Sequence, residues 1–351
     1  MCSTRNRLIT HFNTYNKAQI GDLFKFLHQS CFGCEHMISD YRDVLKRISE
    51  ELEQKPRAKE LIEVLDGDYS RVWLGFINNG MSRETFAKLF YLSSKCSKQS
   101  ENLLEEKLAV LKRLISDGAI PLDKSEFEKA VQKWKSEGYP ALHHSESFNK
   151  EYQPAYRVIS NKFIPFTELF TRIDMLLSKG NAVVAIEGSA ASGKTTLAKI
   201  LGEVYDCTVF HMDDFFLQPH QRTPERFEQI GGNVDYERFH EEVLKPLNEN
   251  KTVNYRRFDC TSMKMQPAVE IIPKKLTVIE GAYCMRPELS KYYNLSVFLN
   301  IDPEMQKKRI LHRNPDMAQR FFDDWIPMEQ RYFEAFDIKN KCNVCMEIQD
   351  N

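Results

Sequence analysis

The stretch NAVVAIEGSAASGKTTLAK, residues 181–199, predicts a strand, a glycine-containing loop and a helix in immediate succession. The apolar run 182–186 is typical of a buried parallel strand, and the helix is expected to begin after Lys194. Between them, the residues from Gly188 to Thr195 match the pattern G-x-x-x-x-G-K-[ST]. This strand–loop–helix context argues against a chance glycine turn.

A loop of this kind suits the binding of phosphate groups. Small residues let backbone N–H groups turn inward around a phosphate, and the helix N-terminus adds the positive end of its dipole. Lys194 is expected to reach the β- and γ-phosphates of a nucleotide, and the Thr195 hydroxyl to ligate Mg²⁺. The residues expected to contact the nucleotide are Gly188, Ser189, Ala190, Ala191, Ser192, Gly193, Lys194, Thr195 and Thr196.

Length and charge limit the class of protein. A chain of 351 residues is long enough for two domains with separate cores. Lysine and arginine total 49 against 50 aspartates and glutamates, a balance that gives no reason to expect nucleic acid or an anionic membrane as a partner. No stretch resembles a membrane span or a signal peptide. We therefore expect a cytoplasmic protein whose 9 cysteines are reduced.

Residues 1–160 predict an all-α domain, because their apolar residues recur at helical spacing. Ser82 and Asp123 are the expected N-caps of two of its helices, and Asp117-Gly118 ends the helix between them. The expected helices cover 19–28, 37–54, 57–65, 69–77, 82–96, 103–115 and 124–138.

Residues 161–351 predict a different architecture, in which strands and helices alternate as in a doubly wound parallel sheet. The expected strands are 182–187, 207–212, 276–280, 295–300 and 343–348, and the expected helices are 167–178, 194–204, 235–248, 303–313 and 326–336. Two strand ends carry carboxylates: Asp213-Asp214 follow one strand, and Glu280 ends another. Since ligands bind at the carboxyl ends of parallel strands, Asp213 is the expected base for a substrate hydroxyl and Glu280 the expected partner of the metal.

From about residue 163 onward the chain resembles the P-loop kinases of the uridine kinase and phosphoribulokinase type. GSAASGKTT is similar to that family's phosphate loop, HMDDFF to its catalytic-aspartate segment, and VIEG to its metal-linked glutamate strand. GGNVDYERF resembles the segment whose aspartate binds the substrate ribose, here Asp235, and NYRRF the segment whose tyrosine lines the base pocket, here Tyr255. The resemblance implies an α/β P-loop NTPase fold, ATP and Mg²⁺ as cofactors, and a metal site of Thr195, Asp213 and Glu280.

The resemblance extends to the segment before a lid, whereas the lid itself, PDMAQRFFDDWIPMEQRYF, is unlike that of the family. VFLNIDPEMQKKRILHRN is similar to the strand and helix that lead into an arginine-bearing lid, which makes Arg309 and Arg313 the candidates for closing over the transferring phosphate, with Arg320 as a further one. Phe216, in the substrate-binding segment, stands where uridine kinases usually have tyrosine. Arg256 and Arg257 add basic charge, which suits either an anionic acceptor or a solvated surface pair.

Two polar clusters stand out in the first half. Cys31 to His36 and His143 to Arg157 fall at helix ends or in loops. They predict either a shared pocket for an anionic ligand or a metal, or only caps and interhelical hydrogen bonds. The pairs Cys31/Cys34 and Cys342/Cys345 have the spacing of zinc ligands, but they are separated by nearly the whole chain.

The sequence thus predicts a kinase that transfers phosphate from ATP to a hydroxyl of a small molecule, with uridine or a related nucleoside as the expected acceptor. One alternative is a nucleotide-dependent switch that regulates the helical domain. Others are a kinase for an anionic acceptor, and a helical half that is a separate enzyme fused to the kinase. The oligomeric state stays open, with a homo-oligomer as one alternative.

Overall fold

The computed structural model describes residues 2–34, 40–54, 59–95 and 101–348. The chain divides into two units, Met1–Asp174 and Met175–Asn351. The boundary lies inside the helix Thr167–Leu177, whereas residue 160 was the expected one. Within the described ranges, no helix is long and apolar enough to cross a bilayer.

The first unit is mainly helical, as predicted. Its helices are α1 Cys2–Thr14, α2 Ile20–Phe32, α3 Tyr41–Gln54, α4 Gly75–Asn78, α5 Arg83–Ser94, α6 Glu101–Ser116, α7 Lys124–Ser136, α8 Glu146–Tyr152 and α9 Thr167–Leu177. The predicted N-caps are confirmed: the Ser82 hydroxyl accepts from the Thr85 N–H at 3.0 Å, and Asp123 accepts from the Glu126 N–H at 2.7 Å.

The first unit also contains a sheet, which corrects the all-α prediction. Its strands are β1 Ile62–Val64, β2 Tyr69–Trp73 and β3 Tyr156–Ser160, paired antiparallel in that order. The helix predicted over 69–77 is wrong, and so is the described part of the one over 57–65. Every residue of β2 is buried, so the strand lacks the alternation that marks a half-buried strand, and its partner β3 lies far away in sequence.

The second unit is built on a parallel sheet with helices between its strands. Its strands are β4 Ala182–Gly188, β5 Thr208–His211, β6 Val253–Tyr255, β7 Phe258–Asp259, β8 Lys264–Met265, β9 Val269–Ile271, β10 Leu276–Glu280, β11 Leu295–Ile301 and β12 Val344–Ile348. Its helices are α10 Lys194–Val204, α11 Pro224–Glu228, α12 Tyr236–Phe239, α13 Lys245–Asn248, α14 Pro287–Ser290, α15 Pro303–Arg313, α16 Ala318–Arg320, α17 Ile326–Phe336 and α18 Ile338–Lys341. Short π-helical turns, His240–Leu244 and Phe321–Trp325, join α12 to α13 and α16 to α17.

The order of strands in the main sheet is β12-β11-β4-β10-β5, and every pairing is parallel. All five predicted strands are therefore confirmed, and β4 is the central one. Two small antiparallel pairs, β6 with β9 and β7 with β8, were not predicted. The central position of β4 brings the loop that follows it to the middle of the carboxyl edge of the sheet.

A fully buried carboxylate, Glu187, lies in the central strand β4. It accepts hydrogen bonds from the Gly188 N–H at 2.9 Å, the Met285 N–H at 3.1 Å and the Tyr332 hydroxyl at 3.1 Å. Burial raises the pKa of Glu187 to about 7, although these hydrogen bonds oppose the rise. The carboxylate thus ties β4 to the loop after β10 and to α17.

This pKa predicts a pH-dependent term in stability. Between its ordinary pKa of 4.5 and about 7, the native Glu187 holds a proton that the unfolded chain releases. The stabilisation is therefore complete below the unfolded pKa and is lost as the pH rises through 7, by up to about 3 kcal/mol. Glu187→Gln, which cannot ionise, should lack this term.

Urea unfolding of the wild type and Glu187→Gln at pH 5.5 and pH 8.5 measures it. We expect Glu187→Gln to gain stability relative to the wild type as the pH rises. Stability curves that run parallel across this range would contradict the assignment.

Candidate active site

The loop between β4 and α10 is shaped by two glycines. Gly188 has φ 148°, and a Cβ there would lie 2.4 Å from the Leu299 carbonyl oxygen, so no other residue fits. Gly193 has φ 98°, and a Cβ there would meet nothing within 4 Å. The space beside Gly193, directly before the first turn of α10, is therefore open.

Lys194 folds back over this loop. Its ammonium donates to the carbonyl oxygens of Gly188 at 2.8 Å and Ser189 at 3.0 Å. The positive charge therefore lies at the loop, beside the N-terminus of α10, where both favour a bound anion.

Three side chains from three elements meet beside the loop. Thr195, in the first turn of α10, donates its hydroxyl to Glu280 at the end of β10 at 3.2 Å. His211, at the end of β5, lies 2.6 Å from the same Glu280 oxygen through its Nδ1. The hydrogen bond to Glu280 raises the pKa of His211. Thr195 and Glu280 were predicted site residues. His211 was not predicted, because its contact with Glu280 joins two strands that are far apart in sequence.

The two adjacent carboxylates after β5 have different environments. Asp214 is buried and accepts from the Tyr255 hydroxyl at 2.6 Å and from Arg257 Nε at 3.0 Å. Asp213 is open to solvent and has no hydrogen-bond partner among the residues that the structure describes. Crowding by protein atoms raises its pKa, while the charge of Lys194 opposes the rise. Only Asp213 is therefore available to a ligand.

The residues expected at the base and the sugar of the acceptor are partly engaged in the fold. Tyr255 is 7% exposed, and its ring packs near Phe210 and Phe215, so it supports Asp214 and does not form the wall of an open pocket. Asp235 is buried, and its carboxylate caps α12 through the Arg238 N–H at 3.1 Å.

A second contact also holds Asp235. The Gln221 side-chain amide donates to it at 3.0 Å. Phe216 is half-buried and forms a β-bridge with Val234. Phe216 is thus more accessible than Tyr255 and Asp235.

The three predicted lid arginines differ in their exposure and in their distance from the loop. Arg309 on α15 is half-buried and donates to the Ala191 carbonyl oxygen of the loop at 3.3 Å. Arg313 is exposed at the last turn of α15. Arg320 is exposed and lies 3.8 Å from Asp324. Of the three, the structure brings Arg309 to the loop.

Two buried side chains that sequence analysis missed hold the peptide groups of Ala190. Glu329 on α17 accepts from the Ala190 N–H at 2.8 Å, and Gln306 on α15 donates to its carbonyl oxygen at 2.9 Å. Burial raises the pKa of Glu329. No local pattern marks either residue, because each acts on a loop more than a hundred residues away in sequence.

The donor set fits ATP and Mg²⁺. Thr195 and Glu280 offer hard oxygen ligands, and Mg²⁺ usually takes only one or two carboxylates and completes its shell with water and phosphate. The Ser192 hydroxyl is buried with no partner in the described part of the chain, so the loop retains an unused polar group.

The pair Cys31 and Cys34 lies in the first unit, and the pair Cys342 and Cys345 lies in the second. None of these four residues forms a disulfide bond within the described part of the chain. Among the residues that the structure describes, no group of three or more His, Cys, Asp or Glu side chains is placed to hold a metal by itself. His36 and Glu35, part of the first predicted cluster, lie outside the described residues.

Comparison with solved structures finds similar chains. One is described as a possible uridine kinase from Bacillus stearothermophilus; it is 24% identical, with 51% of this chain and 99% of that chain covered and a TM-score of 0.37. Another, described as a candidate fructose transport system kinase from Silicibacter sp. TM1040, is 21% identical, with 47% and 89% covered and a TM-score of 0.40. A shikimate kinase from Bacteroides thetaiotaomicron is 14% identical, with 48% and 90% covered and a TM-score of 0.26.

A search of functionally curated proteins gives no match. The model of one family does match, and it covers β4, the phosphate loop, both carboxylate-bearing strand ends and the start of α17. Residues 183–330 of this chain match the model of the Phosphoribulokinase / Uridine kinase family.

Proposed function

We propose that this protein transfers the γ-phosphoryl group of ATP, with Mg²⁺, to a hydroxyl group of a small molecule, and that the acceptor is uridine or a related nucleoside. The observation that supports this most is the contrast between Asp213 and Asp214. An unpartnered carboxylate beside the loop lysine is the feature that a kinase needs and a nucleotide-dependent switch does not.

The chain's own groups would divide the work as follows. The loop N–H groups and Lys194 bind the phosphates, and Thr195 and Glu280 hold the metal. Mg²⁺ bound there supplies charge neutralisation for the phosphoryl oxygens. Asp213 orients the acceptor and takes the proton from its hydroxyl oxygen as that oxygen attacks the γ-phosphorus, whose bond to the bridging oxygen breaks so that ADP leaves. Arg309 stabilises the charge that develops on the transferring group.

His211 and Asp214 act through these groups. His211 holds the Glu280 carboxylate through a 2.6 Å contact, which limits its rotation beside Thr195. Asp214, fixed by Tyr255 and Arg257, holds the turn that presents Asp213. Both are positioning residues that leave Asp213 free for the acceptor.

One observation favours an anionic acceptor as the alternative. Arg257 uses its Nε on Asp214, yet its side chain is 67% exposed, so the rest of its guanidinium group is available for a second anion. Arg256, by contrast, is paired with Glu242.

An assay of ADP formation separates these alternatives. It is run first with ATP and Mg²⁺ alone, and then with uridine, cytidine, ribose 5-phosphate or glycerol added. Stimulation by a nucleoside supports the proposal, and stimulation by the sugar phosphate alone supports the anionic acceptor. Slow turnover that no acceptor changes would support the switch.

The adjacent aspartates predict opposite effects. Asp213→Asn keeps the size and removes the base, so kcat should fall roughly 10²–10⁴-fold with little change in ATP binding. Asp214→Asn serves as the matched control: it disturbs the contact with Arg257, so it should lower the melting temperature and leave kcat within about tenfold. Steady-state kinetics with the best acceptor, together with thermal unfolding, measures both. The reverse ranking of kcat would move the base to Asp214.

Lys194→Ala should reduce turnover roughly 10²–10³-fold or more, because a positive charge aimed at developing phosphoryl charge is lost. The fold should survive, since the ammonium bonds only to two loop carbonyl oxygens. Circular dichroism establishes folding and ADP release measures turnover. Wild-type turnover in a folded Lys194→Ala protein would refute this assignment of the loop.

We also propose that the second unit is an autonomous kinase domain, because every residue assigned above lies in it. A fragment that begins at Met175 should fold and show the same acceptor preference as the full chain. A fragment that is folded by circular dichroism but does not bind ATP with Mg²⁺ would contradict this.

A further inference from the structure

The first unit contains a cavity of about 260 Å³ that the kinase chemistry does not use. It lies between α2, α3 and the region of β3. Its most buried polar lining comes from α2 and from the segment around His144, and its outer lining comes from α3. The side chains that matter here are Lys25, Gln29, His144, Tyr156, Arg157 and Arg47.

A closed hydrogen-bond network fixes the inner wall. Asp22 is fully buried and accepts from His144 Nδ1 at 2.9 Å, from the Ser145 N–H and hydroxyl at 3.0 and 2.7 Å, and from the Gln19 N–H at 2.9 Å. Burial would raise the pKa of Asp22, but these hydrogen bonds lower it to about 2, so the carboxylate is ionised.

The charge on Asp22 decides the tautomer of His144. Burial lowers the pKa of His144 to about 4, so the ring is neutral and its Nδ1 carries the proton toward Asp22. Its Nε2 then accepts from the Tyr156 hydroxyl at 2.6 Å. Tyr156 is therefore held in place, and its hydroxyl proton is used.

Gln29 is oriented from the other side. Its carbonyl oxygen Oε1 accepts from Arg71 Nε at 2.8 Å, and Arg71 is itself paired with Glu63 at 3.1 Å. The hydrogen bonds seen for the Gln29 side chain in the described residues all involve this oxygen, and Gln29 lines the cavity. Its amide hydrogens therefore remain to be donated at the cavity wall.

Lys25 is a second donor, and it carries a charge. It is 8% exposed, lines the cavity and uses one of its hydrogens on the Leu142 carbonyl oxygen at 2.6 Å. No carboxylate of the described residues lies within ion-pair distance of it, and the nearby Asp22 attracts it only through space. The other deeply buried lysine of this unit, Lys107, does have one, with Asp66 at 3.6 Å. Because buried ammonium groups are almost always paired, Lys25 is the exception that requires a partner.

The outer wall carries both signs of charge. Arg157 is paired with Glu51 at 2.8 Å, and Arg47 lies among the exposed side chains of α3 together with Asp40 and Asp43. Lys25 is therefore the positive charge that lines the inside of the cavity, and the carboxylates that line it, Asp40, Asp43 and Glu51, are at the mouth. This polarity orients a ligand with its anionic end inward and any hydroxyl or cationic part outward.

We propose that this cavity is a second ligand-binding site, specific for a small molecule whose carboxylate or phosphate group is bound by the Lys25 ammonium and the Gln29 amide. It lies wholly in the first unit and does not depend on the function proposed for the second. It also gives the cluster around His144 a role: it holds the wall of the site.

Calorimetry and thermal unfolding of the full chain at pH 7 test the proposal. They measure the binding of succinate and of inorganic phosphate. Lys25→Met removes the charge and keeps the length of the side chain. The affinity of the Lys25→Met protein for the anion should fall at least tenfold. Its melting temperature without anion should not fall, because the substitution removes a buried charge that has no ion-pair partner. The matched control is Lys46→Met on α3, whose side chain is 75% exposed; it should bind as the wild type does.

A second variant keeps the test decisive if Lys25→Met does not fold. Gln29→Glu keeps the acceptor for Arg71 and places a carboxylate one helical turn from Lys25. This internal anion should abolish binding and raise the melting temperature. Phosphate can also bind the loop of the second unit, so Lys194→Ala is measured in parallel.

Anion binding that survives in Lys194→Ala and is lost in Lys25→Met and Gln29→Glu supports the site. A succinate response with no phosphate response identifies a carboxylate ligand, and the reverse identifies a phosphate. Equal binding in the wild type and Lys25→Met overturns the proposal. So does the failure of both anions to bind or stabilise the wild type at millimolar concentration.

Discussion

The carboxylate of Glu187 is the constraint on which the second unit depends. It lies in the central strand with no access to water, and its three donors come from the phosphate loop, from the loop after β10 and from α17. A buried carboxylate is tolerated only when such donors surround it, so the donors cannot move independently. The phosphate loop, the segment after β10 and helix α17 are therefore held in fixed positions relative to one another.

The same principle explains how neighbouring polar groups have different roles. Asp213 and Asp214 are adjacent in sequence, yet Asp214 is neutralised by contacts with Tyr255 and Arg257 while Asp213 stays available. At Ala190 both peptide groups are held by buried side chains, Glu329 and Gln306, which restrict a loop that otherwise consists of small residues. Preorganised catalysis requires a rigid support and a reacting group that no other side chain already engages.

In the first unit, chains of hydrogen bonds likewise satisfy some polar groups and leave others available beside the cavity. A chain of hydrogen bonds from Asp22 through His144 satisfies Tyr156, and a second chain through Arg71 satisfies the oxygen of Gln29. The groups left over, the Lys25 ammonium and the Gln29 amide, both border the same cavity. Unused donors that converge on one space are the usual sign of a binding site for an acceptor of hydrogen bonds.

Short-range pattern in the sequence determined the five parallel strands, the phosphate loop and the N-caps Ser82 and Asp123, because each depends on residues close together in the chain. It also predicted that Asp213 and Glu280 follow strands on one edge of the sheet, where the structure places them, since strand ends in a parallel sheet converge there. Only the tertiary structure decided the sheet of the first unit, the burial of Tyr255, and the contacts of Glu187, Glu329, His211 and Lys25. These depend on partners tens to hundreds of residues away, and a carboxylate or an amine has the same identity in sequence whether folding leaves it paired, buried or exposed.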